Sequence, residues 1–155
     1  MRAGPSANPG IFKSYDVRGL YPAELDAEVA YRIGRAFVAY LNARRIGVGR
    51  DMRLSSPELA EAFIRGARDQ GCDVVDYGLI GTDMLYFAVA RDGHDGGAEI
   101  TASHNPKDYN GMKLVGREAF PLSGDAGIVE IREMVVSGRI PPGPGRRGEI
   151  RVEPG

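Results

Sequence analysis

One polar loop gathers residue types that could do chemistry around a single hydroxyl group. Ser103 lies at its start, and Asn105-Pro106 is one of two strong turn signals that should keep the loop tight. A serine hydroxyl is a weak nucleophile unless a base or a cation activates it, and His104 and Lys113 are the nearest candidates in the sequence. On this pattern alone, Ser103 is either an activated nucleophile or simply one residue of a turn.

The segments on both sides of this loop have the character of strands. Residues 98–101 are predicted to form a strand that leads directly into the loop, and residues 111–115 return as the next strand. Ligands of open α/β sheets bind beyond the carboxyl ends of the parallel strands. The predicted position of Ser103 is therefore typical of a binding or active site.

The rest of the chain alternates between helical and strand patterns. Ser56 is the predicted N-cap of a helix with Pro57 at its first position, and Thr82 or Asp83 is predicted to cap the following helix. A loop is predicted at residues 16–19. The predicted helices cover about 25–42, 57–70, 82–91 and 125–136, and further strands cover 46–49 and 72–78. This alternation predicts an α/β fold, a three-layer α/β/α sandwich with a mixed, mostly parallel sheet in which the strand of Lys113 runs antiparallel to its neighbour.

Three regions are expected along the 155 residues, which is the size of one domain. Residues 1–10 are rich in Gly, Pro and Ala and are predicted to be a flexible lead-in. Residues 11–140 contain all the predicted helices and strands. Residues 141–155 are rich in Pro, Gly and Arg, and we expect an extended linker toward a further domain outside this chain.

Composition and charge disfavour several classes of partner. A net charge of −1 with arginines scattered among a matching set of acids does not indicate a nucleic-acid partner. No window approaches the roughly 18 apolar residues of a membrane span, so no membrane partner is expected. The lone Cys72 cannot form an intrachain disulfide, which favours a reducing, cytoplasmic compartment.

Two motifs resemble those of one enzyme family. The run from Thr101 to Lys113, Thr-Ala-Ser-His-Asn-Pro-Lys-Asp-Tyr-Asn-Gly-Met-Lys, is similar nearly residue for residue to the active-site phosphoserine loop of the α-D-phosphohexomutases. The run from Phe12 to Gly19 resembles the N-terminal motif of the same family. Two motifs in the right order are far more specific than either one alone. Phosphoglucosamine mutases tend to carry Gly-Thr-Asp-Gly where this chain has Ser-Tyr-Asp-Val, which favours the phosphomannomutase/phosphoglucomutase branch, domain I.

This resemblance implies three catalytic residues. Ser103 would be the phosphoserine, and its phosphate would also be a ligand of Mg²⁺. His104 would support the loop and contact the phosphoryl group, while Lys113 would carry a proton or stabilise charge. A transferring phosphoryl group spreads negative charge over its oxygens, so cations near Ser103 suit that chemistry. The alternative for His104 is a hydrogen bond that only supports the turn.

The resemblance also implies substrate- and phosphate-binding roles for Tyr15, Arg18 and Asn105. Tyr15 and Arg18 would reach the Ser103 loop from the first motif. Two alternatives remain open from the residues themselves. Arg18 could simply pair with Asp16, and Tyr15 could be a core residue.

The implied activity is the interconversion of hexose 1-phosphate and hexose 6-phosphate, of mannose or glucose, with a hexose 1,6-bisphosphate as intermediate and activator. The family's Asp-Gly-Asp-x-Asp loop is missing, so the main Mg²⁺ ligands are expected outside this chain. The nearest string, residues 92–95, has the wrong spacing, and its His94 is predicted to be solvated. The chain is interpreted as a fragment, inactive alone, that joins the missing domains of the same polypeptide. The rival hypothesis is a stand-alone module that binds a sugar phosphate or phosphate without turnover.

Overall fold

A computed structural model describes residues 8–102, 105–124 and 126–153. Four helices are described: α1 (Ala27–Leu41), α2 (Ser56–Asp69), α3 (Thr82–Arg91) and α4 (Ile128–Ser137). The strands are β1 (Val17–Leu20), β2 (Arg45–Arg50), β3 (Asp73–Leu79), β4 (Gly96–Ile100), β5 (Tyr109–Val115) and β6 (Ile150–Val152). Among these described helices, none is both long and apolar enough to cross a lipid bilayer.

The strands form one sheet in the order β1-β5-β4-β2-β3-β6. Strands β4, β2, β3 and β6 pair in parallel, whereas β5 runs antiparallel to both of its neighbours, β1 and β4. Helices α1, α2 and α4 contribute to the larger hydrophobic core on one face, and α3 contributes to the smaller core on the other. The predicted α/β/α sandwich with a mixed, mostly parallel sheet is confirmed.

Helices α1 and α2 approach each other unusually closely. The rings of Phe37 and Phe63 pack with their centroids 5.7 Å apart. A Cβ atom built at Gly34 would lie 2.2 Å from the carbonyl oxygen of Phe63, and one built at Gly66 would lie 2.1 Å from that of Tyr31. Each helix therefore presents a glycine to the backbone of the other, and side chains at these two positions would force the helices apart.

Both predicted helix caps were wrong by one or two residues. Helix α2 begins at Ser56 with Ser55 as N-cap, and the Ser56 hydroxyl donates to a carboxylate in the preceding loop. Helix α3 begins at Thr82 with Gly81 as N-cap, so neither Thr82 nor Asp83 caps it. A local sequence signal identifies hydroxyl residues near a helix start, but the available tertiary partner decides which bond each one makes.

Two segments without a clear local pattern join the sheet. The predicted loop at 16–19 was wrong for most of its length, because Val17–Leu20 is strand β1 and pairs with β5. The partner strand lies far along the chain, so local patterns could not reveal this pairing. Within 141–155, residues 150–152 pair with β3 as a short edge strand. The division into three regions remains a prediction.

His94 is buried, and its predicted solvation was wrong. The Arg45 guanidinium donates from Nε to His94 Nδ1 at 3.0 Å, and the Tyr77 hydroxyl lies 2.8 Å from Nε2. The Tyr77 hydroxyl also donates to the carboxylate of Asp92, so the imidazole holds its proton on Nε2 and is neutral. Burial, together with the positive charge of Arg45, lowers the pKa of His94 to about 4.

This burial predicts a pH-dependent loss of stability. The unfolded chain takes up a proton on His94 below its ordinary pKa of 6.5, whereas the folded chain resists protonation down to about 4. We expect the free energy of unfolding to decrease by on the order of 2–3 kcal/mol as the pH falls between these values. The measurement is urea denaturation of the wild type and of His94→Gln at several pH values in this range. The free energy of unfolding should depend less on pH in the variant. Parallel pH profiles would contradict the assignment.

Candidate functional site

The candidate site lies where β4 leads into β5. Two predicted site residues, Ser103 and His104, are outside the described residues, but the chain on both sides of them is described. The backbone N–H of Thr101 donates to the carbonyl of Gly111 at 2.9 Å, which continues the pairing of β4 with β5 beyond Ile100. The sheet therefore holds the chain in place up to the entrance of the loop.

Asn105 closes the loop from its other side. Its backbone N–H and its side-chain amide donate to the carbonyl oxygen of Ala102, at 3.0 Å and 2.8 Å. These two bonds span positions 103 and 104 and bring the described ends of the loop together. The Asn105 amide thus supports the loop, and its role in binding phosphate remains a prediction.

Arg53 fixes the outer half of the loop and was missed in the sequence. Its guanidinium donates to the carbonyl oxygens of Asn105 at 2.6 Å, Pro106 at 2.7 Å and Tyr109 at 3.3 Å. A planar guanidinium with several fixed donors can satisfy several carbonyl groups at once, which a lysine could not do in the same geometry. Arg53 therefore positions the loop backbone.

A group of polar side chains after β2 holds the backbone next to Arg53. Asp51 accepts hydrogen bonds on Oδ1 from the Ser56 hydroxyl at 2.5 Å and from the Arg53 backbone N–H at 3.1 Å. The buried Asn110 amide donates to the hydroxyls of Ser55 at 2.7 Å and Ser56 at 3.0 Å. The sequence signal was the position of Asp51, Ser55 and Ser56 soon after β2, since the carboxyl ends of parallel strands share one edge of a sheet.

Asp16 brings two of the predicted site cations together. The Asp16 carboxylate lies 3.4 Å from Arg18 Nη2 and 3.7 Å from Lys113 Nζ. Strand pairing explains the meeting, because Val17 of β1 lies opposite Met112 of β5. The ion pairs are partly exposed and add little stability, so both cations stay available to a bound anion.

Tyr15 lies beside this group but points outward. Its side chain is 71% exposed, so the alternative that it is a core residue was wrong. An exposed phenol can contact a ligand that arrives from solvent. Its role in binding substrate remains a prediction.

Glu99 is a buried acid that the sequence interpretation passed over. The residue is 1% exposed, and its Oε1 atom has no hydrogen-bond partner among the described residues. Burial raises the pKa of Glu99 to about 8, and the nearby Asp51 carboxylate adds to the rise. The signal was an acid at the centre of an otherwise apolar strand, between Ala98 and Ile100.

The described residues do not form a magnesium site. Among them, no group of three or more His, Cys, Asp or Glu side chains is placed to hold a metal ion. Oxygen-rich Mg²⁺ sites use carboxylates together with phosphate groups and water. The carboxylates of Asp16 and Asp51 are instead paired with cations of the chain itself.

Fold and loop together define an α/β/α domain in which a polar loop connects the antiparallel strands β4 and β5. The family model described as "Phosphoglucomutase/phosphomannomutase, alpha/beta/alpha domain I" matches residues 9–138. The chain belongs to the phosphoglucomutase/phosphomannomutase family and corresponds to its domain I. The resemblance inferred from the two motifs is thereby confirmed.

Two relatives that share about half of their aligned residues with this chain are both named phosphomannomutase. A phosphomannomutase of Klebsiella pneumoniae is 50% identical over 141 residues, which cover 90% of this chain and 90% of the relative. A phosphomannomutase of Escherichia coli is also 50% identical over 141 residues, but the match covers only 31% of that protein. The chain thus spans most of one relative and about a third of the other.

Solved structures show the same domain within longer chains. A phosphoglucomutase/phosphomannomutase family protein from Burkholderia thailandensis superposes with a TM-score of 0.81 at 36% identity, over 96% of this chain and 33% of that one. A putative phosphomannomutase from Thermus thermophilus gives a TM-score of 0.78 at 26% identity, over 96% and 34%. These matches agree with the α/β/α architecture described above.

Proposed function

We propose that this chain is the N-terminal catalytic domain of an enzyme that interconverts hexose 1-phosphate and hexose 6-phosphate, with Ser103 as the phosphoryl carrier. The observation that carries the proposal is the Thr101–Lys113 motif, which begins after β4 and continues into β5, in a chain that belongs to this family. Relatives named phosphomannomutase favour mannose phosphates, and glucose phosphates are the second substrate class.

Two phosphoryl transfers would complete the reaction. In the first, the bond between phosphorus and Ser103 Oγ breaks, a bond to a sugar hydroxyl oxygen forms, and the hydroxyl proton passes to a base. The resulting hexose 1,6-bisphosphate reorients and returns its other phosphoryl group to Ser103. Arg18 and Lys113 would stabilise the charge that spreads over the phosphoryl oxygens, and Lys113 is also a candidate proton carrier.

The remaining roles support this scheme. His104 would hold the loop and contact the phosphoryl group, while Asn105 and Tyr15 would bind the phosphate or the sugar. Mg²⁺ remains a proposed cofactor, with the Ser103 phosphate as one ligand and its main ligands outside this chain. We place the enzyme in the cytoplasm, a proposal supported by the unpaired Cys72, which is buried.

Covalent labelling tests the proposal against a module that only binds phosphate. After incubation with glucose 1,6-bisphosphate, the full-length enzyme should gain about 80 Da, one phosphoryl group, on the peptide that contains Ser103. Ser137→Ala, which changes an exposed serine at the end of α4, should take up the same mass, whereas Ser103→Ala should not. A reversible binder would show no added mass in any of the three proteins.

The 155-residue chain alone is expected to have negligible mutase activity. Positioning and electrostatic stabilisation supply most of the catalysis in phosphoryl transfer, and a domain that covers about a third of a relative provides only part of both. The measurement is conversion of mannose 1-phosphate to mannose 6-phosphate by this chain, with its Ser103→Ala variant as the blank. Conversion clearly above that blank would overturn the expectation.

A further inference from the structure

Lys113 lies between two acidic residues in one cross-strand row of the sheet. On one side, its ammonium lies 3.7 Å from Asp16 Oδ2. On the other side, Glu99 of β4 is directly opposite Lys113 in the antiparallel pairing of β4 with β5. Residues directly opposite each other in such a pair have their Cβ atoms about 4.5–5.5 Å apart and on the same face of the sheet. Glu99 Oε1 lies over Gly49 of β2, so Lys113 and Glu99 must turn toward each other to form a pair.

Glu99 is the unsatisfied member of this group. Its Oε1 atom is buried without a hydrogen-bond partner in the described part of the chain, whereas Asp16 is paired with both Arg18 and Lys113. A neutral carboxyl group tolerates such burial much better than a carboxylate, which requires a partner. Burial raises the pKa of Glu99 to about 8, which keeps the group neutral at pH 7.

Lys113 is the cation directly across the strand pair from Glu99. The groups around Glu99 are Asp51 after β2, which is itself paired with Arg53, Tyr86 on α3, which in turn lies near Asp83 and Asp16, and Lys113 on β5. Three of these groups are carboxylates, and the tyrosine stays neutral while Glu99 titrates because burial raises its pKa above the ordinary value of 10.0. An ionised Glu99 would be repelled by these carboxylates and could accept a hydrogen bond from the Tyr86 hydroxyl, and Lys113 is its one charged cross-strand neighbour among the described residues.

We propose that Glu99 is a positioning residue whose protonation state selects the partner of Lys113. While Glu99 is neutral, Lys113 stays on Asp16 beside Arg18, where the two cations can act on one phosphoryl group. When Glu99 loses its proton, the ammonium is drawn across the sheet toward β4 and away from Arg18. The catalytic consequence rests on the proposed mutase function, but the change of partner does not.

Nuclear magnetic resonance titration of the 155-residue chain tests the change of partner. In the wild type, the side-chain signals of Lys113 should shift with the same midpoint as the Glu99 carboxyl carbon. Glu99→Gln should remove that shift, and Glu61→Gln, which changes an exposed acid on α2, should retain it. Lys113 signals that stay flat through the Glu99 titration, or that move equally in Glu99→Gln, would overturn the proposal.

A reciprocal variant covers the case in which Glu99→Gln fails to fold. Lys113→Met changes a partly exposed side chain and removes the cation that would stabilise ionised Glu99. The Glu99 titration should then move upward by about half a pH unit, the size expected for a cross-strand pair of opposite charges. An unchanged Glu99 titration in Lys113→Met would overturn the proposal by itself.

The pH profile of the full-length enzyme separates this proposal from the mutase proposal. We expect kcat of the wild type and of Glu61→Gln to decline as Glu99 ionises, and Glu99→Gln to lose this decline. If the signals of Lys113 follow Glu99 but no hexose phosphate is converted, the mutase proposal fails and the positioning role stands. If the enzyme is active and Lys113 ignores Glu99, the positioning role fails alone.

Discussion

Replacing Ser103 with alanine in the full-length enzyme is expected to reduce kcat more than any other single change at the site. The variant loses the atom that carries the phosphoryl group, whereas Lys113→Ala and Arg18→Ala each lose one charge that stabilises the transition state. Loss of one aimed donor typically lowers the rate on the order of a hundred- to a thousand-fold. We expect Ser103→Ala to lower kcat by more than this factor. The decrease for His104→Ala should lie between that of Ser103→Ala and those of Lys113→Ala and Arg18→Ala.

The measurement is kcat for the four variants at a saturating concentration of hexose 1,6-bisphosphate, with mass spectra of each protein. Only Ser103→Ala should fail to acquire a phosphoryl group. Ser137→Ala serves as a control at an exposed serine outside the site. If Ser103→Ala retained more activity than Lys113→Ala, or still carried phosphate on this domain, Ser103 would not be the nucleophile.

Gly34→Ala and Gly66→Ala are each expected to destabilise the fold. In most helices, replacing glycine with alanine is stabilising. Alanine normally favours a helix over glycine by about 1 kcal/mol. Here the added methyl group would meet backbone oxygen at 2.2 Å or 2.1 Å, and a backbone cannot rotate away as a side chain can. We expect each variant to lose about 2 kcal/mol or more of unfolding free energy.

Urea unfolding of the 155-residue chain, followed by circular dichroism, checks this expectation. Gly81→Ser is the matched control, because a Cβ atom there meets nothing within 4 Å and the residue has an extended backbone conformation that serine adopts readily. Its stability should change by less than about 0.5 kcal/mol. A stabilised Gly34→Ala would show that α1 and α2 can separate at low cost.

The sequence was sufficient for elements whose pattern is local and strongly periodic. Val29, Ile33 and Phe37 recur at helical spacing, and all three lie buried on one face of α1 as predicted. The antiparallel return of the strand that carries Lys113 was also predicted, because a short turn-rich loop separates it from β4. Such patterns depend on which side chains are buried and on the local geometry of a turn, so neighbouring residues are enough to predict them.

Features that depend on distant partners were missed. Adjacent residues predict neither the burial of His94 nor the hydrogen bonds of Arg53 to the loop. The partners in both cases lie far away in the sequence. Glu99 follows the same rule, because its environment is set by α3 and by the end of β2. Motif similarity located the loop, but only the folded arrangement reveals what surrounds it.

The pairing of β1 with β5 also sets when the site can form during synthesis. Arg18 lies opposite Gly111 in that pairing, so about 90 residues must emerge from the ribosome before the two strands meet. At typical translation speeds this delay is roughly 5–20 s, during which β1 has no partner strand. Helices α1 and α2 can dock through Gly34 and Gly66 well before then. The contact between α1 and α2 can thus form first, and the cluster of Asp16, Arg18 and Lys113 is assembled only after β5 has emerged.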